Sequence, residues 1–237
     1  MPPERTISRR IRTWVFGILI FLLAAAGGTV AYLEYFAPES NQAPIPEKPK
    51  KLINAGEKII RLERREDFAD ETKNALAQNL PPGEFEVLLF SEERAGQMFY
   101  LLPSEFFSAA GARPDQKILR AVSTYNAGVI GPSFQESKNS PFLILEVSSF
   151  EEGATGMSVW EKKIPRELSF LFPEFSQVNE LEVVPKNQII KNQDARVLET
   201  PVGKMFYVFF NRKLIIITES QKALEDILSR YTIFPPN

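Results

Sequence analysis

The chain of 237 residues contains neither cysteine nor histidine. Without imidazole there is no Ser-His-Asp or Cys-His relay and no metal site that needs a histidine ligand. Without thiolate there are no zinc ribbons, iron–sulfur clusters or thiol redox couples, and no disulfide can staple the fold. Catalysis is left with carboxylate pairs, Ser/Lys dyads, tyrosine and oxygen-ligated metals. The sequence also lacks an Asn-x-Ser/Thr acceptor and carries a net charge of only −2. The balance beyond the first residues is acidic, which argues against nucleic acid as a partner of the bulk of the chain.

What the chain does have comes early. From Trp14 to Leu33 no residue is charged, and Arg5, Arg9, Arg10 and Arg12 sit just before this run. At about 1.5 Å per residue, about twenty apolar residues cross a ~30 Å hydrocarbon core as a helix. The run predicts a transmembrane helix over 14–36, with Trp14, Phe16, Leu19, Phe21, Leu22 and Tyr32 as its anchoring side chains and the lipid bilayer as its first partner. Trp14 and Tyr32 suit the two interfaces. The arginines place a cytoplasmic tip at 1–13 and the bulk of the chain outside, because Glu34 and Glu39 follow the span and the first lysine is Lys48. Glu4 set against the four arginines leaves the tip at about +3 and the remainder near −5. A cleaved signal peptide ending near Ala24-Ala25-Ala26 is the rival reading, but the apolar run continues past the alanines. Gly27-Gly28 permits close helix approach without forming a GxxxG pattern.

Residues 37–50 hold four prolines and form a polar spacer. Beyond it, residues 51–237 are long enough for one sizeable extracytoplasmic domain. Nineteen phenylalanines supply a core without disulfides. Apolar runs at 58–62, 85–90, 98–102, 125–130, 141–147, 187–190, 195–198, 204–210 and 214–218 read as strands, the fourth irregular, with a hairpin loop at 91–97. Helical spacing marks 67–79, 103–107, 114–122, a stretch after Ser149 that Pro165 splits in two, and 220–231. Ser149-Phe-Glu-Glu152 matches a capping box. Frequent hairpins predict an α+β fold with mostly antiparallel sheet rather than a doubly wound one. Two βαββα-like modules, at 51–132 and 140–232, are a further expectation.

Each candidate site has a plain structural alternative. Gly153-x-x-Gly156 lacks the glycines and Lys-Ser/Thr of a phosphate loop and reads as a close helix crossing. Ser158 with Lys162, and Ser220 with Lys222, have dyad spacing, but a dyad needs a buried lysine. Glu66, Asp67, Asp70 and Glu71 gather at a helix start, where acids suit the positive terminus and Asp67 can cap; a metal or general-acid role is the alternative. Trp160 is either a contact for a partner or a core residue. Asn192-Gln-Asp194-Ala-Arg196 is turn chemistry first and a carbohydrate or peptide contact second. No catalytic, cofactor or metal residues are assigned.

Two blocks carry a resemblance. Ser140-Pro-Phe-Leu-Ile-Leu-Glu-Val147 leads to Gly156-Met157, Trp160-Glu161 and Leu168. Ile190-Lys-Asn192 leads through Asp194-Ala-Arg-Val-Leu198 to Leu214-Ile-Ile-Ile-Thr-Glu219. Together they resemble a family of uncharacterised single-span membrane proteins of ultra-small, reduced-genome bacteria, over about residues 10–232. The resemblance implies a bitopic topology and an envelope location and carries over no functional residues. The expectation is a non-enzymatic protein-interaction or assembly module with an envelope protein as partner. The alternatives are a carboxylate-dependent cell-wall hydrolase, betrayed by two acids at glycosidase separation, or a ligand-binding sensor domain.

Overall fold

Hydrophobic runs that do not alternate with polar residues imply strands covered on both faces, and the computed structural model realises that arrangement. It describes residues 48–133 and 137–233. The tip, the Trp14–Leu33 run with its anchoring side chains, and most of the spacer lie outside the described residues. Among the described residues no helix is long and apolar enough to cross a membrane.

Strand β1 (Gly56–Leu62) leads through α1 (Phe68–Leu76) to β2 (Phe85–Arg94), which turns into β3 (Gln97–Tyr100). Helices α2 (Pro103–Ala109) and α3 (Gln116–Ala121) precede β4 (Val122–Ile130) and β5 (Ser140–Val147). Then come α4 (Phe150–Trp160), α5 (Ile164–Glu167), and the meander β6 (Val184–Ile190), β7 (Gln193–Thr200), β8 (Gly203–Phe210) and β9 (Leu214–Thr218), closed by α6 (Gln221–Ile233). The strands form a single mixed sheet in the order β1-β2-β4-β5-β9-β8-β7-β6, with β3 also paired to β2. Only β1 and β2 run parallel; the other pairs are antiparallel. The fold is therefore α+β, as expected, and residues 48–233 fall within one compact unit.

The two sides of β5 show how the core is divided. Leu143, Leu145 and Val147 point to a layer containing Phe68, Phe106, Phe107, Ile118, Met157 and Trp160, from helices α1 to α4. Phe142 and Ile144 point to Leu224, Ile227 and Leu228 of α6 and to Leu52 and Ile53. In the first layer Phe106 stacks on Tyr125 with ring centres 4.1 Å apart, and Phe68 sits 4.6 Å from Phe90. Such pairs add roughly 0.5–1.5 kcal/mol each beyond their burial.

The segment before β1 is fastened to the second layer. Buried Asn126 of β4 accepts a hydrogen bond from the Leu52 amide at 2.7 Å and donates to the Lys50 carbonyl at 3.1 Å. The Tyr231 hydroxyl donates to the Leu52 carbonyl, and Arg230 Nε to that of Asn54. Lys50 pairs with Glu146. The spacer expected to end at residue 50 thus gives way to ordered chain from at least Lys50 onward.

Several local expectations change. The loop expected over 91–97 contracts to Ala95-Gly96, with φ of +50° and +79°, because β2 continues to Arg94. Strand β4 is regular rather than irregular, apart from a register shift between Val122 and Thr124. Asp67 precedes α1 without a capping bond; its carboxylate is taken by Arg64 at 3.0 Å. Ser149 does cap α4, accepting from the Glu152 amide at 3.3 Å, and Pro165 falls in the first turn of α5, where a missing N–H costs nothing.

Candidate functional site

Trp160, which the sequence leaves open as a partner contact or a core residue, is a core residue in the structure. It is 1% exposed, meets Phe107 edge-on at 5.8 Å, and donates through Nε1 to Glu167 at 2.7 Å. A residue so enclosed cannot reach a partner without unfolding the layer around it. Gly156 explains itself sterically: an added Cβ would lie 2.7 Å from Ile118 Cγ1 and 2.8 Å from Ile118 N, so α4 crosses α3 at a residue that must stay small. Ser158 and Lys162 are both exposed, and the hydroxyl donates to the Thr155 carbonyl. Ser220 accepts from the Ala223 amide while Lys222 pairs with Asp226. Among the described residues no three acidic side chains converge as a metal site would need, so Glu66, Asp67, Asp70 and Glu71 form no such cluster. At the β6–β7 turn the left-handed residues are Lys191 and Asn192, with φ of +48° and +59°. Arg196, read with that turn, belongs to β7.

Arg196 is part of a polar group that sequence order conceals. Glu161, just past α4, is 8% exposed. It accepts both arms of the Arg196 guanidinium, at 3.1 and 3.0 Å, and the Tyr207 hydroxyl at 3.0 Å. Arg196 also donates to Asn187 of β6 at 2.7 Å. Burial, then the Glu161 charge, push the Tyr207 hydroxyl well above the usual phenol range, so it stays a donor. Glu161 ties the end of α4 to β7 and β8 and reaches β6 through Arg196. Its oxygens are already occupied by these donors. A second polar group joins Arg65, Glu92, Arg94 and Glu105, with Arg65 bidentate on Glu92 at 3.0 Å for each bond.

A shallow cleft of about 420 Å³ lies where the Pro132 and Ser137–Pro141 segments meet the end of α1 and the Leu171–Glu174 turn. Leu76, Pro141, Leu171 and Pro173 are among its apolar lining. Its rim holds Lys73, Lys138, Glu174 and Glu219, and Lys138 bonds Glu174 at 2.6 Å.

The feature best suited to recognition is the edge made by β6. Among the described residues this strand pairs only with β7, and its residues 184 and 186–189 are exposed. Leu181, in the turn before it, is 88% exposed; Val184 is 50% and Ile189 74%. A strand paired on one side only presents a row of free main-chain donors and acceptors along its other edge, the usual template for another strand. Its natural deterrents are slight. Lys186 is taken up by Glu199, and Pro185 is the only proline in the strand. Pro185 was also the signal available in the sequence, since proline inside a strand run places that strand at an edge.

No protein-family model, no curated protein and no solved structure matches this chain.

Proposed function

We propose that this chain is a membrane-anchored envelope protein whose α+β domain, held outside the cell by one N-terminal helix, binds another envelope protein or helps assemble a surface structure such as a pilus or secretion complex. The observation that carries the reading is β6: an outer strand paired on one side only, with large apolar side chains in water. The uncharged Trp14–Leu33 run and the arginines before it support the anchor and its orientation. The reading is non-enzymatic: Glu161, Tyr207, Glu92 and Glu105 are all engaged in bonds that hold elements together. The two-module reading is supported by the order strand, helix, hairpin in each half. The halves nevertheless pair differently, since β1 joins β2 in parallel while β5 joins β9 in antiparallel fashion.

The test is to cross-link the full-length protein in native membranes, purify it and identify by mass spectrometry what accompanies it. A stoichiometric protein partner, a second copy of this chain included, is expected, with its cross-links on residues 181–190. Cross-links to lipid alone would sink the interaction reading.

The cleft favours a second reading, a ligand-binding sensor. Glu174 and Glu219 line it together, so the same hollow is where a carboxylate-dependent hydrolase would be sought. Titration of the full-length protein with cell-wall fragments, with and without Lys138→Glu, decides this: binding that Lys138→Glu abolishes would replace the interaction reading.

A further inference from the structure

We propose that β6 pairs with β6 of a second copy of this chain, antiparallel about Asn187. This rests on the edge-interaction reading above and names its occupant.

The geometry of the edge follows from the turn that ends it. A two-residue loop with both φ positive closes on a pair that exchanges both main-chain hydrogen bonds, here Ile190 with Gln193. Counting back by twos, 190, 188, 186 and 184 bond to β7, and 189, 187 and 185 turn their main-chain groups outward. Pro185 falls in the outward set, where its missing N–H leaves no gap in the ladder. Among the described residues, the groups this leaves for a new strand are the amides of Asn187 and Ile189 and the carbonyls of 185, 187 and 189.

A second β6 laid with 187 against 187 satisfies every one of those amides. The two Asn187 residues exchange both bonds, and each Ile189 amide donates to the Pro185 carbonyl across the axis. The side chains sort themselves in the same register. Pro185 meets Ile189 on the face that carries Arg196, while Val184 meets Ile190 and Lys186 meets Gln188 on the other. Lys186 is the only charged residue of the seven, and Glu199 already compensates it, so no like charges oppose each other. The pairing closes on itself, as a two-fold interface does. Joining β6 to the far edge, β1, would be a head-to-tail contact that has no two-fold axis and builds a ring or an open fibre instead of a closed pair.

The absence of cysteine makes the test direct. Asn187→Cys gives the full-length protein a single thiol on the axis. A bonded antiparallel pair holds its Cα atoms about 5.5 Å apart, inside the range a disulfide spans. In native membranes under mild oxidation, Asn187→Cys is expected to form a disulfide-linked homodimer, and Lys58→Cys on the opposite edge is not. Adding Ile189→Pro, which deletes an outward amide, should cut the linked dimer about tenfold, the effect of losing two hydrogen bonds per pair. Ile189→Lys should do the same by placing a charge against Pro185. Neither variant should move the thermal unfolding midpoint of the domain much, because position 189 does not bond to β7. The inference is overturned if Asn187→Cys stays unlinked, if both Ile189 variants link undiminished, or if the thiol is captured by a different protein. Capture by a different protein would leave the edge-interaction reading standing; no conjugate of any kind would remove both.

Discussion

Single residues in this chain are legible when their chemistry is local and opaque when it depends on a distant partner. Ser149 announces a helix start from its own neighbours. Trp160 does not reveal whether it faces water, because its surroundings, Phe107 and Glu167, are set by tertiary packing. The same holds for Glu92, an unremarked glutamate in sequence. In the fold, hydrogen bonds from Arg65 first of all, and then Arg94, hold its carboxyl below the usual 4.5 against the opposing effect of partial burial. A depressed carboxyl pKa stabilises the folded state above the unfolded-state value, and that stability is lost as pH falls through the folded one. The urea midpoint of the wild type should therefore drop more steeply than that of Glu92→Gln as pH is lowered below about 4.5. Parallel curves for the two proteins would mean that the Arg65–Glu92 pair contributes nothing measurable.

At the level of elements, strands and helices were readable because burial on both faces leaves long apolar runs such as Phe142–Leu145 and Leu214–Ile217. Their ends were less so. The Ser91–Gln97 segment looks like a polar loop, yet Glu92 and Arg94 are polar because they meet Arg65 and Glu105, and the ladder runs on beneath them. The two glycines of α4 show how finely an element contact is specified. Gly156→Ala forces a methyl group into Ile118 and should cost about 1–3 kcal/mol, the range of an overpacked core. Gly153→Ala brings its methyl only to 3.4 Å from Val147 Cγ1, an ordinary contact, and should be neutral or gain up to about 1 kcal/mol from helix propensity. Chemical denaturation of the two variants side by side checks this, and equal losses would refute a specific α3–α4 crossing.

For the whole molecule, the class of fold was accessible from sequence and the order of strands was not. Hairpins such as β7–β8 pair with their neighbours in the chain, but β5 finds β9 some seventy residues on, and nothing in either strand names the other. The same blindness hid the seat of the chain before β1, since Asn126 sits amid an apolar strand with no local reason to be polar. Asn126→Leu should lower stability by about 1–3 kcal/mol, the cost of leaving the Leu52 amide and Lys50 carbonyl unpaired. Thermal unfolding of the full-length protein measures it, and an unchanged midpoint would show the strap to be passive. That strap also decides how a pull on the chain before it would be felt. A load arriving at residue 48 meets the exposed Lys48–Glu57 pair and then the bonds to Asn126, Tyr231 and Arg230, so much of it is taken inside the sheet, at β4, and against its closing helix. A domain moored in this way resists being unzipped from its rim.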